Sequence, residues 1–107
     1  MKFFIAAPFG NYLKFQHAIS VTGSWTVEPR PGLALQILKT LRYVRSEAGW
    51  SWRNKIGLRN PGIREGMKRR GSFDVMSIAP IHKWDWVNFE SIVPENQSIE
   101  VNISCPN

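Results

Sequence analysis

The sequence predicts an α/β fold in which parallel strands alternate with outer helices, and three observations lead there. Phe3–Ala7 and Val75–Ala79 are short apolar runs, the first closed by Pro8, Gly10 and Asn11, as expected of strands buried on both faces. Ile63 with Met67, and Trp86 with Phe89 and Val93, share helical faces. Ile99, Val101 and Ile103 alternate with Glu100, Asn102 and Ser104, the period of a strand with one apolar and one polar face. Strands separated by helices of about ten residues form parallel units with right-handed crossovers.

Taken in order, the first strand is followed by a second candidate at His17–Val21, then by a shaped loop over 23–32, where Pro29 and Pro31 deny donors to a ladder. From Leu33 to Val44 two readings stand side by side. Leu33, Ile37, Leu38, Leu41 and Val44 fit a helix, whereas Leu41, Tyr43 and Arg45 before Ser46-Glu47-Ala48-Gly49 fit a hairpin returning through Trp50 and Trp52. Asn60 before Pro61 predicts a capped helix that ends near Lys68, Arg69 and Arg70 ahead of Gly71. Asp85 is the expected cap of the next helix, which Pro94 stops.

At 107 residues, 43% of them hydrophobic, the chain has ordinary globular usage and room for one domain, 1–107, so intrinsic disorder is excluded as the expectation. Fourteen Lys and Arg against eight Asp and Glu leave a net charge of +6, which directs attention to anionic ligands. The excess is local: residues 39–70 hold ten basic and two acidic side chains, residues 71–107 one and five. A single cysteine, Cys105, excludes an internal disulfide framework and fits a reducing compartment, and two distant histidines offer no zinc spacing, so no metal is expected. The apolar start breaks at Pro8, which argues for a strand over a signal peptide, and no stretch approaches the roughly 20 apolar residues of a bilayer span.

The last strand carries the densest functional signal. Asn102 and Ser104 share its polar face, and Cys105-Pro106-Asn107 follows where the strand must stop. Parallel α/β folds bind ligands at the carboxyl ends of strands, although an Asn there can equally cap a neighbouring backbone.

Asn102-Ile103-Ser104-Cys105-Pro106-Asn107 resembles the Asn-x-Ser-Cys-Pro-Asn signature of the dihydroorotate dehydrogenases. Three further segments resemble that family in the same chain order: Ala7 to Asn11, Gly23 to Thr26 with Pro29 to Gly32, and Asn54 to Gly62. The resemblance implies the amino-terminal part of a flavin-binding (β/α)8 TIM barrel, incomplete as given because a whole barrel takes about 250 residues. It implies FMN as cofactor and the oxidation of dihydroorotate to orotate in pyrimidine synthesis. A protein base removes a proton from one ring carbon while the adjacent carbon gives hydride to the flavin.

Cys105 occupies the base position of the soluble, cytoplasmic class, where it needs surroundings that favour the thiolate. Asn54, Asn102 and Asn107 match amides that meet the pyrimidine, and carboxamides both donate and accept without adding charge. Ile56, Gly57 and Leu58 match the main-chain segment that meets the substrate carboxylate. Ala6, Ala7 and Gly10, with Ser24 and Thr26, match flavin-side positions. Gly23 departs from the lysine many soluble members carry there, which opens the alternative of a related flavin-barrel oxidoreductase acting on another substrate.

The partners so implied are a small-molecule substrate and, for the complete enzyme, a homodimer, with neither nucleic acid nor membrane. Two other classes compete. Arg53, Lys55, Arg59, Arg64, Lys68, Arg69 and Arg70 beside Trp50 and Trp52 would suit a small nucleic-acid-binding domain, yet no RNP-like, KH or zinc-finger pattern accompanies them. Five tryptophans would suit an assembly module, and core packing accounts for them as well.

Overall fold

In a computed structural model, which describes residues 2–7, 9–53, 55 and 57–103, parallel pairing organises the chain. Strand β1 (Phe3–Ile5) pairs in parallel with β2 (Ala18–Ser20) after a short 3-10 turn at Phe9–Asn11. Helix α1 (Leu33–Thr40) follows, then an antiparallel ribbon of β3 (Arg42–Ser46) and β4 (Gly49–Arg53), then α2 (Ile63–Lys68). Strand β5 (Val75–Ile78), α3 (Asp85–Ile92) and β6 (Ser98–Val101) complete the order, and β5 pairs in parallel with β6.

Two isolated parallel bridges, Val21 to Val75 and Trp25 to Ile78, tie β2 to β5, so the parallel strands lie in the order β1-β2-β5-β6. The described residues thus form a small α/β unit with short parallel and antiparallel pairs, and they close no barrel. Among them no helix is long and apolar enough to cross a membrane.

From one bridge to the other the β2 side spends five residues, Val21 to Trp25, against four from Val75 to Ile78. The extra residue is a bulge, which bends the strand and re-aims its side chains. Thr22 closes the gap. Its hydroxyl accepts from Ser77 N at 3.0 Å and from Trp25 Nε1 at 3.1 Å, while Trp25 N donates to Ser77 O at 2.9 Å and Ala79 N to Trp25 O at 2.8 Å.

Alternation along β5 then assigns the two faces. Met76 and Ile78 are buried with Trp25, Ile63 of α2, Phe73 and Phe89 of α3 in one core. Gly66 lets α2 lie on the Trp25 ring, because a β-carbon there would stand 2.8 Å from Trp25 Cδ2. Ser77 points the other way, toward the polar positions.

Several sequence expectations are corrected by this arrangement. Phe3 and Phe4 are exposed, and so are Ile99, Val101 and Ile103, because β1 and β6 are outer strands of the described sheet and lack a neighbour on one side. Only the inner strands have both edges covered. Asn60 is not the cap of α2. Its Oδ1 accepts from Thr26 N at 3.2 Å and Gly62 N at 2.9 Å, locking the 23–32 loop to the helix approach, and α2 starts at Ile63 with no side-chain cap. Asp85 likewise turns back, accepting from Ile81 N at 2.8 Å and His82 N at 3.0 Å. Trp86, assigned to the apolar face of α3, is exposed, whereas Phe89 is buried and Val93 packs on the core.

At the start of β5, Asp74 Oδ2 accepts from Ser20 N at 2.9 Å and Ser20 Oγ at 3.0 Å, and Oδ1 pairs with Lys14 Nζ at 3.0 Å. The Ser20 main-chain N–H, then the Lys14 ammonium, hold the Asp74 carboxyl below its ordinary 3.8, outweighing the opposing effect of burial. A carboxyl depressed in this way contributes stability above its unfolded value, and that contribution is lost as pH falls through the folded one. The stability advantage of the wild type over Asp74→Asn, followed by urea denaturation, should therefore be constant near neutrality and shrink below about pH 4. An advantage independent of pH would show that Asp74 acts only by shape.

Gly10 gives a second test. A β-carbon at Gly10 would stand 2.1 Å from Val21 O and 2.2 Å from Ile5 O, main-chain atoms that cannot swing aside. Gly10→Ala should cost about 1–3 kcal/mol or more in denaturant unfolding. Gly23→Ala, whose nearest neighbour would be Ala7 Cβ at 3.5 Å, should stay within about 0.5 kcal/mol of wild type.

Candidate functional site

The bulge turns Ser24 onto the same side of the sheet as Ser77, and their hydroxyls lie 3.0 Å apart. Asn102, one residue past β6, donates from Nδ2 to Ser24 Oγ at 2.8 Å, and its main-chain N–H continues the ladder to Ile78 O at 2.8 Å. A chain of amide, hydroxyl and hydroxyl thus crosses the carboxyl ends of three adjacent strands. The Asn102 amide donates to Ser24, and either hydroxyl can donate to the other, so neutral groups fill the end of the sheet without an uncompensated charge. The register of β5 with β6 brings this about: Ser77 stands opposite Glu100, so Asn102 two residues on shares that face.

Beside Ser24 the surface falls into a cleft of about 300 Å³, lined by Asn11, Gly23, Ser24, Gly57, Leu58 and Asn60 among others. Asn11 Oδ1 accepts from Gly23 N at 2.7 Å, fixing the loop after β1 against the bulge. Gly57 has φ of 65°, a left-handed conformation that L side chains rarely adopt, and a β-carbon there would meet open space. Its backbone, not packing, requires the glycine. Arg59 and Arg69 also line the cleft and, among the described residues, no carboxylate does. The Asn60 Nδ2 atom at this rim is buried without an acceptor. The cleft is therefore cationic and rich in donors, an environment for a ligand that carries negative charge and accepts hydrogen bonds.

Of the residues singled out from the sequence, Ser24, Gly57 and Leu58 share this cleft, and Asn102 reaches it through Ser24. Ala6 and Ala7 are exposed beyond β1, with Ala7 close beside Gly23. Gly10 and Thr26 have roles in the fold that need no ligand. Gly10 lies between main-chain carbonyls, and Thr26, nearly fully buried, donates its hydroxyl to Glu28 O at 2.6 Å and lies 3.1 Å from Asn60 Oδ1. Asn54, Ile56, Cys105 and Asn107 lie outside the described residues.

Sequence reasoning missed Ser77 and Asn11. Ser77 had a usable signal: it is the one hydroxyl inside the apolar run Val75-Met76-Ser77-Ile78, and a polar residue in a buried strand needs a partner. Asn11 looked like an ordinary turn residue, and its contact with Gly23 depends on the pairing of β1 with β2.

If Ser24 couples Asn102 to the sheet, the two side chains should be non-additive. Ser24→Ala and Asn102→Ala should each cost about 1 kcal/mol in denaturant unfolding, and a double-mutant cycle should give a coupling of about 0.5 kcal/mol or more. Strict additivity would mean that the bond contributes nothing to the folded state. Comparison with protein-family models, with curated proteins and with solved structures gives no match for this chain.

Proposed function

We propose that the chain is the amino-terminal portion of an FMN-dependent oxidoreductase of the dihydroorotate dehydrogenase kind, acting in a barrel completed by further strands. What supports the reading is the coincidence of two independent things. The segments that resemble this family contribute Ser24 and Asn102, bonded to each other at the carboxyl ends of the parallel strands, and Gly57 and Leu58, which share a cationic cleft with Ser24. The single observation that carries it is the Asn102–Ser24–Ser77 chain, because it puts an amide of the signature segment beside the second loop at the end of a parallel sheet.

The residues present fit a flavin. Gly23 and Ser24 in the cleft, with Ala7 close beside Gly23, present small side chains on which a planar ring can lie near main chain, and Arg59 and Arg69 suit an anionic ligand there. FMN when bound supplies the hydride acceptor. In this proposal Cys105 removes the proton from the substrate ring, Asn54, Asn102 and Asn107 orient the pyrimidine, and Ile56, Gly57 and Leu58 present main chain to its carboxylate. The bond network on Asn102 limits its rotation, and an amide already held in place loses less freedom when substrate arrives.

The test uses the chain extended through its remaining strands. Orotate should perturb the flavin absorbance, and Asn102→Ala should weaken that response by about 1–3 kcal/mol at unchanged flavin content. Cys105→Ala should slow flavin bleaching by dihydroorotate in single turnover by about 10²–10⁴ while FMN is retained. A flavin-loaded protein whose spectrum ignored orotate would belong with another substrate, and one that held no flavin would overturn the proposal.

A further inference from the structure

The register of the β3–β4 ribbon separates two surfaces. Tyr43 stands opposite Trp52 and Arg45 opposite Trp50, so these four share one face, while Arg42 opposite Arg53 and Val44 opposite Ser51 share the other. On the first face the rings pack on one another, Tyr43 stacking on Trp50 and tilting against Trp52 with centroids 5.0 Å apart in each pair. The second face is open. There Thr40, Arg42, Val44, Arg53 and Lys55 line a hollow of about 410 Å³.

Charge in the hollow is of one sign. Arg42 and Arg53 are direct cross-strand partners, an arrangement in which like charges repel, and Lys55 adds a third cation. Among the described residues ion pairs join Lys14 to Asp74 and Lys68 to Glu65, so no carboxylate answers any of the three. Glu47 lies in the turn beyond the Ser46–Gly49 pair, at the far end of the ribbon and about 13 Å or more from Arg42 along the strand. The neutral lining adds no donor, because the Thr40 hydroxyl already donates to Gln36 O at 2.7 Å and Val44 is apolar. Arg42 Nη1 donates to Leu41 O at 2.9 Å, which orients the guanidinium and leaves its other N–H groups to a ligand.

We infer that Arg42, Arg53 and Lys55 bind the phosphate group of a small phosphomonoester. Such a group carries close to two negative charges and three acceptor oxygens, one for each cation, and guanidinium groups meet it with paired N–H bonds. A carboxylate brings one charge and two oxygens, and a phosphodiester one charge, so each leaves part of the repulsion standing. The hollow lies within the range of about 300–1,000 Å³ usual for small-molecule sites and exceeds a single phosphate group, so the organic part of the ester has room beside it. None of its lining residues lines the cleft beside Ser24, and the inference does not rest on the function proposed for that cleft.

Phenyl phosphate, titrated into the isotope-labelled 107-residue protein with amide shifts followed by NMR, tests this. It should move the signals of Arg42, Val44 and Arg53 and bind more weakly as salt rises. Binding should be about threefold or more tighter near pH 7.5 than near pH 5.5, because the phosphate loses most of its second charge over that range while the three cations keep theirs. Inorganic phosphate should act at the same residues but more weakly, and benzoate about fivefold or more weakly. Arg42→Gln, Arg53→Gln and Lys55→Gln should each weaken phenyl phosphate about fivefold, whereas Arg45→Gln, on the aromatic face, should stay within about twofold. If one variant fails to fold, the other two and the comparison of ligands on the wild type decide the matter. Equal affinity for inorganic phosphate or for benzoate would overturn the inference. So would an equal loss in Arg45→Gln, shifts confined to the cleft at Arg59 and Arg69, or displacement of phenyl phosphate by an oligonucleotide at lower concentration.

Discussion

The Thr22 hydroxyl is the atom on which the arrangement turns. Where the bulge interrupts the ladder between β2 and β5, Ser77 N would lose its main-chain acceptor inside the sheet, and the hydroxyl takes that place while also receiving Trp25 Nε1. An unmade bond at a buried N–H costs about 1–3 kcal/mol, a large share of the stability of a domain this small. Because the hydroxyl closes the gap, the extra residue is tolerated. The extra residue in turn puts Trp25 into the core and Ser24 on the opposite face. One side chain thus supports both the packing of α2 on the Trp25 ring and the polar chain to Asn102.

How far the sequence disclosed this is best seen at particular residues. The period of β6 was legible because alternation is local, and it put Asn102 on the polar face where the structure has it bonded to Ser24. Each reading of residues 33–53 holds for part of the segment: the helix stops at Thr40, short of the Leu41 and Val44 its spacing took in, and the hairpin starts at Arg42. Asn60 and Asp85 misled because a polar residue ahead of a helix looks the same in sequence whether it bonds forward or back. Their actual partners, Thr26 N, and Ile81 N with His82 N, are set by how loops pack. Burial of β1 and β6 was illegible for a similar reason. Whether an apolar strand is covered depends on its neighbours in the sheet, and no local pattern counts them.

The charge distribution has a structural counterpart. The basic stretch of the sequence is divided between the cleft, through Arg59 and Arg69, and a hollow beside the β3–β4 ribbon, through Arg42, Arg53 and Lys55. Among the described residues neither place is lined by a carboxylate. Positive regions of this kind raise the local concentration of anions. The substrate carboxylate and flavin phosphate of the proposed function are anions, the class of ligand that such a cleft favours.

Gly23 separates fold from specificity. Gly10 is small because two main-chain carbonyls leave no space, and Gly57 because its φ is positive, but Gly23 has neither constraint. A β-carbon there would sit at ordinary contact distance from Ala7 and Asn11. The fold would accept a side chain, so the absence of one is free to serve a ligand. Next to Ala7 and Ser24 it widens the floor of the proposed flavin site, and it withholds the positive charge that a lysine would bring. Gly23 therefore stands where the backbone imposes little, and under the proposed function the consequence of its small size falls on which ring binds rather than on whether the sheet forms.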